Sequence, residues 1–228
     1  MPAATSFSRD ALAFLRALKR NNRREWFKPR KEQYDALLQA PMIAIIERLA
    51  TDLRTFAPDL VASPKTSLYR IYRDTRFSEN KAPYKTHVAA VFPHRTLGKN
   101  QGAALYFHVS TDDVWIGGGM YSPDTPTLQK ERDHIAANTR RLRAIVDSPS
   151  FKRVLGRLQG EKLQRVPRGF DPDHEAAEYL RFRQYLVVAE RPASLATSPR
   201  FYGELVTVFK QAAPLVRFLN EPLAGRRR

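Results

Sequence analysis

Apolar residues recur at helical spacing near the start of the chain, where Ala11, Leu12, Phe14, Leu15 and Leu18 fall on one stripe. Ser8 stands at the N-cap position, and Asn21 and Asn22 follow the last apolar residue, so the pattern predicts a helix between them. A second helical segment is expected over residues 30–38, carrying Tyr34, Leu37 and Leu38. A third is expected to open with Pro41 in its first turn and to run through Ile43, Ile45, Ile46, Leu49 and Leu53 until Pro58 stops it.

The period then changes. Residues 86–92, THVAAVF, are rich in β-branched and aromatic side chains and end at Pro93. Two further strand-like runs, 103–110 and 114–118, are separated by Thr111, Asp112 and Asp113, which signals a hairpin. In the first run Ala103, Leu105, Phe107 and Val109 alternate with Ala104, Tyr106, His108 and Ser110, predicting one apolar face and one polar, aromatic face. After Gly117, Gly118 and Gly119 the pattern is helical again. Thr125 and Pro126 read as N-cap and first-turn proline, and Leu128, Ile135, Leu142, Ile145 and Val146 supply the apolar positions. Ser148-Pro149 restarts a short helix, residues 167–172 read as a loop, and residues 185–189, YLVVA, as a strand. Ser198-Pro199 opens a last helix that continues past Pro214 to Leu219. Helical runs flanking a set of strands predict the α+β class: one domain over residues 1–224, an antiparallel or mixed sheet between N-terminal and C-terminal helices, then a disordered basic tail at 225–228.

Composition narrows the chemistry. There is no cysteine, so disulfides, thiolate catalysis and cysteine-ligated metal centres are excluded. No apolar run approaches the ~18 residues of a membrane span, and the first residues lack the pattern of a secretory leader. A soluble, cytoplasmic protein without a membrane partner is therefore expected. Lys and Arg number 39 against 23 Asp and Glu, a net charge of +16 that favours polyanionic or phosphorylated partners at long range.

That charge is concentrated locally. The stretch YRIYRDTRFSENKAPYK, residues 69–85, carries Arg70, Arg73, Arg76, Lys81 and Lys85 among Tyr69, Tyr72, Phe77 and Tyr84. Only Asp74 and Glu79 oppose them. Cations held this close repel one another unless an anion, a carboxylate or water intervenes, and arginines suit planar, bidentate recognition of phosphate or carboxylate. The plainer reading is a surface ion-pair network, with Asp74 pairing an arginine.

The chain resembles a bacterial and fungal family of uncharacterised proteins, domain-of-unknown-function family 2461. The resemblance rests on Asn22 with Trp26, Phe27 and Tyr34, and on Arg70 with Arg73-Asp74-Thr75-Arg76-Phe77. It extends to Lys81-Ala82-Pro83-Tyr84-Lys85, to residues 117–123 (GGGMYSP) and to residues 167–170 (PRGF), covering roughly residues 7–218. It implies one cytoplasmic α+β unit and carries no assigned activity, so it supplies no catalytic residue.

Three further features are candidates. Gly117, Gly118 and Gly119 are expected to follow a strand and precede a helix N-terminus, where backbone amides cradle phosphate; they match neither the dinucleotide fingerprint nor the P-loop, and a bulge or close backbone crossing at the sheet edge is the plainer reading. Among the histidines, His108 is the best candidate for proton transfer because it shares a face with Tyr106, and Asp74 is a second. No histidine spacing marks a metal site and no motif names a cofactor. Trp26 and Phe27 beside Arg23 and Arg24 fit either a nucleic-acid contact or a helix anchored to the core. The expected ligand site is thus Arg70, Arg73, Arg76, Lys81, Tyr84, Lys85, Tyr106 and the three glycines. The function expected of it is binding of a phosphorylated small molecule or nucleic acid. An enzyme acting on a phosphorylated or carboxylated small molecule is the alternative.

Overall fold

The computed structural model describes residues 5–76, 78–99 and 101–225. Phe77 and the arginines of the basic tail, 226–228, therefore lie outside the described residues.

Helix α1 (Arg9–Arg20) begins where the Ser8 hydroxyl accepts from the Ala11 amide and ends at Asn21. Its stripe of Ala11, Leu12, Phe14, Leu15 and Leu18 is buried. The expected break before Pro41 does not occur. Helical residues Lys31–Tyr34 pass through a π-helical turn, Asp35–Gln39, directly into α2 (Ala40–Phe56). Proline has no N–H and its ring collides with the carbonyl four residues back. The wider π turn just ahead of Pro41 absorbs that conflict, so the helix is continuous instead of restarted.

Four strands follow: β1 (Val88–Phe92), β2 (Ala104–Val109), β3 (Asp113–Met120) and, after three longer helices and a single helical turn at Ala177–Leu180, β4 (Tyr185–Pro192). They form one antiparallel sheet in the order β1-β2-β3-β4. The register pairs Ala89 and Trp115 with His108 from either side, and Gly117 with Tyr106. Between β3 and β4 lie α3 (Thr125–Ala137), α4 (Thr139–Val146) and α5 (Pro149–Leu155). The N-cap of α3 is Asp124, whose carboxylate accepts from the Thr127 amide; Thr125 is the first helical residue and not the cap. The cap of α5 is Ser148, as its sequence suggests.

The last helix, α6 (Phe201–Asn220), covers one face of the sheet. Leu105, Phe107 and Val109 of β2 are fully buried there, and Phe107 meets Phe92, Phe201 and Phe209 at ring separations of 6.3, 6.1 and 6.4 Å. Each such side chain contributes roughly 1.5–3 kcal/mol by leaving water. Pro214 lies inside α6 on its exposed side, so the carbonyl that loses its helical partner faces solvent. With helices on one face and at both ends of a four-stranded antiparallel sheet, the protein is a single α+β domain.

Candidate functional site

Alternation in the strands sends Tyr106 and His108 to the face away from α6, together with Trp115 of β3. This outer face is bordered at the β1 edge by extended chain: Leu68 bridges Ala90, and the Tyr69 amide donates to the Ala89 carbonyl. From there residues 72–84 form a clasp. Its limbs are joined by the Lys85 amide to the Ile71 carbonyl and the Arg73 amide to the Pro83 carbonyl, at 2.8 and 2.9 Å.

Most of the cationic residues that the sequence singles out hold this clasp together. The Arg73 guanidinium donates to the Ala82 carbonyl and the Ser78 hydroxyl, both at 3.3 Å. Arg76 grips Asp74 with two bonds of 3.0 and 2.8 Å, which holds the Asp74 carboxyl down at about 2. A carboxylate held so low is a poor proton acceptor. Lys81 donates to the Thr75 carbonyl. Tyr84 is buried, stacked on Phe27 at 4.2 Å, and its backbone pairs with Asn22: the Asn22 amide donates to the Tyr84 carbonyl and its oxygen accepts from the Tyr84 N–H.

Arg70 and Lys85 are placed differently. Lys85 donates to the Arg70 carbonyl, and its ammonium lies 4.8 Å from the centre of the Tyr69 ring. Lys99, from the basic loop before β2, lies over the same ring at 4.3 Å. Burial lowers the affinity of Lys85 for its proton, and the charges of Arg70 and Lys99 lower it further. Burial does the same to Lys99. Among the described residues no carboxylate forms an ion pair with Arg70, Lys85 or Lys99.

The Tyr69 ring meets Tyr106 edge-on at 6.4 Å, which joins the cations to a polar chain. The Tyr106 hydroxyl lies 3.1 Å from His108 Nδ1, and His108 Nε2 lies 3.1 Å from Asp113 Oδ1. Ser110 also donates to that oxygen at 2.6 Å. A neutral His108 with its proton on Nε2 satisfies the whole chain: Tyr106 donates to Nδ1, and Nε2–H donates to Asp113. Burial pushes the Tyr106 phenol up, so it stays protonated. Burial works against the Asp113 carboxylate, yet bonds from Ser110 and His108 win and keep its pKa low. His87, 5.1 Å from His108, is pushed down to about 4 by burial, then by His108 and Lys85, and is neutral near pH 7. Trp115 stacks on His108 at 5.2 Å.

The glycine run does not precede a helix. Gly117, Gly118 and Gly119 lie inside β3, their backbones paired to both β2 and β4. Amides committed to two ladders cannot cradle a phosphate. The glycines serve close approach instead: a Cβ on Gly117 would sit 1.9 Å from the Val187 carbonyl oxygen, and one on Gly119 would sit 2.0 Å from that of Tyr185. The expected strand ended at Gly118, two residues early, because glycine is poor in strands and the run looks like a break.

Lys99, Asp113 and Trp115 belong to this face although the sequence did not nominate them, and His87, a candidate histidine ranked behind His108, joins them. The period-2 rule could have found Trp115, since it shares a parity with Gly117 and Gly119. The same parity holds Asp113, whereas only the long-range fold brings in Lys99.

A concavity of about 680 Å³ lies elsewhere, between α2, α3, α4 and α6. His94, His134, Arg141, Arg217 and Glu221 line it. Arg141 is bound to Glu221 through two bonds of 3.0 and 2.7 Å, and Arg217 stands 4.0 Å from Asp59. The arginines of this cavity are thus already matched by carboxylates.

Fold and face together define a class: an α+β protein whose second sheet face carries aromatic rings and a Tyr–His–Asp chain, with cations gathered about Tyr69 at its β1 edge. Within that class, the chain belongs to the family described as Conserved hypothetical protein (DUF2461), whose model matches residues 10–218. No curated protein matches it. The motif residues that carry the resemblance meet in space, since Asn22, Phe27 and Tyr84 form the joint between clasp and helices.

Proposed function

We propose that this protein binds a ligand bearing a phosphate or similar anionic group on the outer face of its sheet, with Arg70, Lys85 and Lys99 as the contacting cations. Arg73, Arg76, Lys81 and Tyr84 then act by holding the clasp that carries Arg70 and Lys85. The observation that carries this reading is the pair of lysines over one Tyr69 ring with no carboxylate between them. Like charges so placed lose stability to mutual repulsion and desolvation, and an anion reverses both. Calorimetric titration with inorganic pyrophosphate tests it. Lys85→Ala and Lys99→Ala should each cost about 1.5–3 kcal/mol of binding, the range for a hydrogen bond to a charged group. Arg153→Ala, an exposed cation on α5, should change little. Equal losses in all three variants would mean diffuse charge attraction and no site.

The Tyr106–His108–Asp113 chain favours a second reading, an enzyme acting on a phosphorylated or carboxylated small molecule. In that case His108 takes the proton from the substrate while Asp113 stabilises the imidazolium and Tyr106 orients the ring. His108→Gln would then abolish turnover and leave pyrophosphate affinity intact.

A further inference from the structure

The outer face has a second property that an anion site alone does not use. The large apolar side chains most open to solvent among the described residues are Tyr121 (76%), Tyr72 (49%) and Trp115 (38%). Trp115 lies near the start of β3 and Tyr121 immediately past its end, so by strand rise their Cα atoms stand about 20 Å apart. Tyr121 adds to the upward push that burial and Tyr69 give the Tyr106 phenol. His108 packs against one side of Trp115 at an interplanar angle of 26°, which fixes the indole and leaves it partly open to solvent.

We infer that the ligand of this face is single-stranded nucleic acid, its phosphates running along the β1 flank over Arg70, Lys85 and Lys99 and its bases stacking on Trp115 and Tyr121. The inference rests on the anion-binding reading above and adds the nature of the ligand. Stacking platforms beside a cationic track are what sequence-tolerant single-strand recognition requires. A separation of about 20 Å exceeds one nucleotide, which favours a strand over a free mononucleotide. The polarity follows from charge. Glu190 of β4 stands opposite Trp115 and is exposed, so the phosphates are repelled from that flank and attracted to the β1 flank. Duplex bases are stacked on one another and unavailable to the platform, whereas a single strand can splay them. The net charge of +16 supplies the long-range attraction.

The test is fluorescence anisotropy with a labelled oligothymidine and with a duplex of equal length, over a range of salt. The single strand should bind more tightly. Trp115→Ala and Tyr121→Ala should each weaken it roughly tenfold, the scale of one base–aromatic stack, and leave the slope of log K against log salt unchanged. Lys85→Ala and Lys99→Ala should each reduce that slope by about 0.7, one phosphate contact of a single strand. Tyr121 lies past the end of β3 and is mostly exposed, so its variant remains informative if Trp115→Ala disturbs folding. Equal affinity for duplex and single strand, with no effect of Tyr121→Ala, overturns the inference. If pyrophosphate binding still depends on Lys85 and Lys99 in that case, the anion site survives and the nucleic-acid assignment alone falls. If those lysines matter no more than Arg153 in either assay, the anion site itself fails.

Discussion

At the scale of single residues, the most consequential side chain outside the sheet face is Glu131. It is fully buried on α3, and neither carboxyl oxygen has a hydrogen-bond partner. Burial, reinforced by Glu221, pushes its pKa up to about 9 from an ordinary 4.5. The folded protein therefore keeps a proton that the unfolded chain releases between those values. Stability falls as pH rises through that window, by up to about 1.4 kcal/mol per pH unit. Glu131→Gln keeps the shape and cannot ionise, so thermal unfolding followed from pH 5 to 9 should show a flatter profile and a higher Tm at the alkaline end. A variant with the wild-type slope would place the pH dependence elsewhere. His87 works from the other side. Its pKa is held near 4 by burial, so stability contributed by its neutral form is lost as pH falls from 6.5 towards 4.

At the scale of elements, the clasp at residues 72–84 reaches the helices through Asn22, which makes two bonds to the Tyr84 backbone at 2.9 and 3.0 Å. Asn22→Ala leaves a donor and an acceptor of Tyr84 without their partner, at a cost of about 1–3 kcal/mol. Hydrogen exchange should speed up in the clasp and hardly change in β2 and β3; uniform acceleration would show that the joint supports the whole fold. This contact marks the limit of what was legible beforehand. Ser8 and Ser148 announce their helices because capping is local, and the face of β2 follows from alternation alone. Pro41 misleads because the same residue suits a helix start and a π turn, and only packing along α1 decides between them. For the site, local reading found the charged segment, but could not say which cations the clasp consumes. Arg73 and Arg76 look like Arg70 in sequence, and their partners are settled by how the chain folds back.

At the scale of the whole molecule, the excess of +16 is unevenly answered. Carboxylates match cations on the helical side, as in Arg141–Glu221, Arg191–Glu204 and Lys162–Glu178, while the lysines about Tyr69 have no such match. Self-repulsion should therefore weaken the fold at low ionic strength. Raising salt from roughly 0.01 M to 0.15 M shortens the Debye length from about 30 to 8 Å and should raise Tm. The gain should be smaller in a protein carrying both Lys85→Ala and Lys99→Ala. Identical gains would locate the repulsion away from the sheet face.

Helix α6 also carries a consequence in time. Its last residue, Asn220, closes both the N–H and the carbonyl of Ala103, across 117 positions, and Tyr202 reaches Asp52 across 150. Three of the four strands are complete once Met120 is made, yet the cover of their apolar side ends 100 residues later. At about 5–20 residues per second, a nascent chain presents that uncovered surface for roughly 5–20 s. Non-local closure of this kind also slows folding once synthesis is complete. The protein is thus expected to depend on chaperones that shield apolar β-structure during translation.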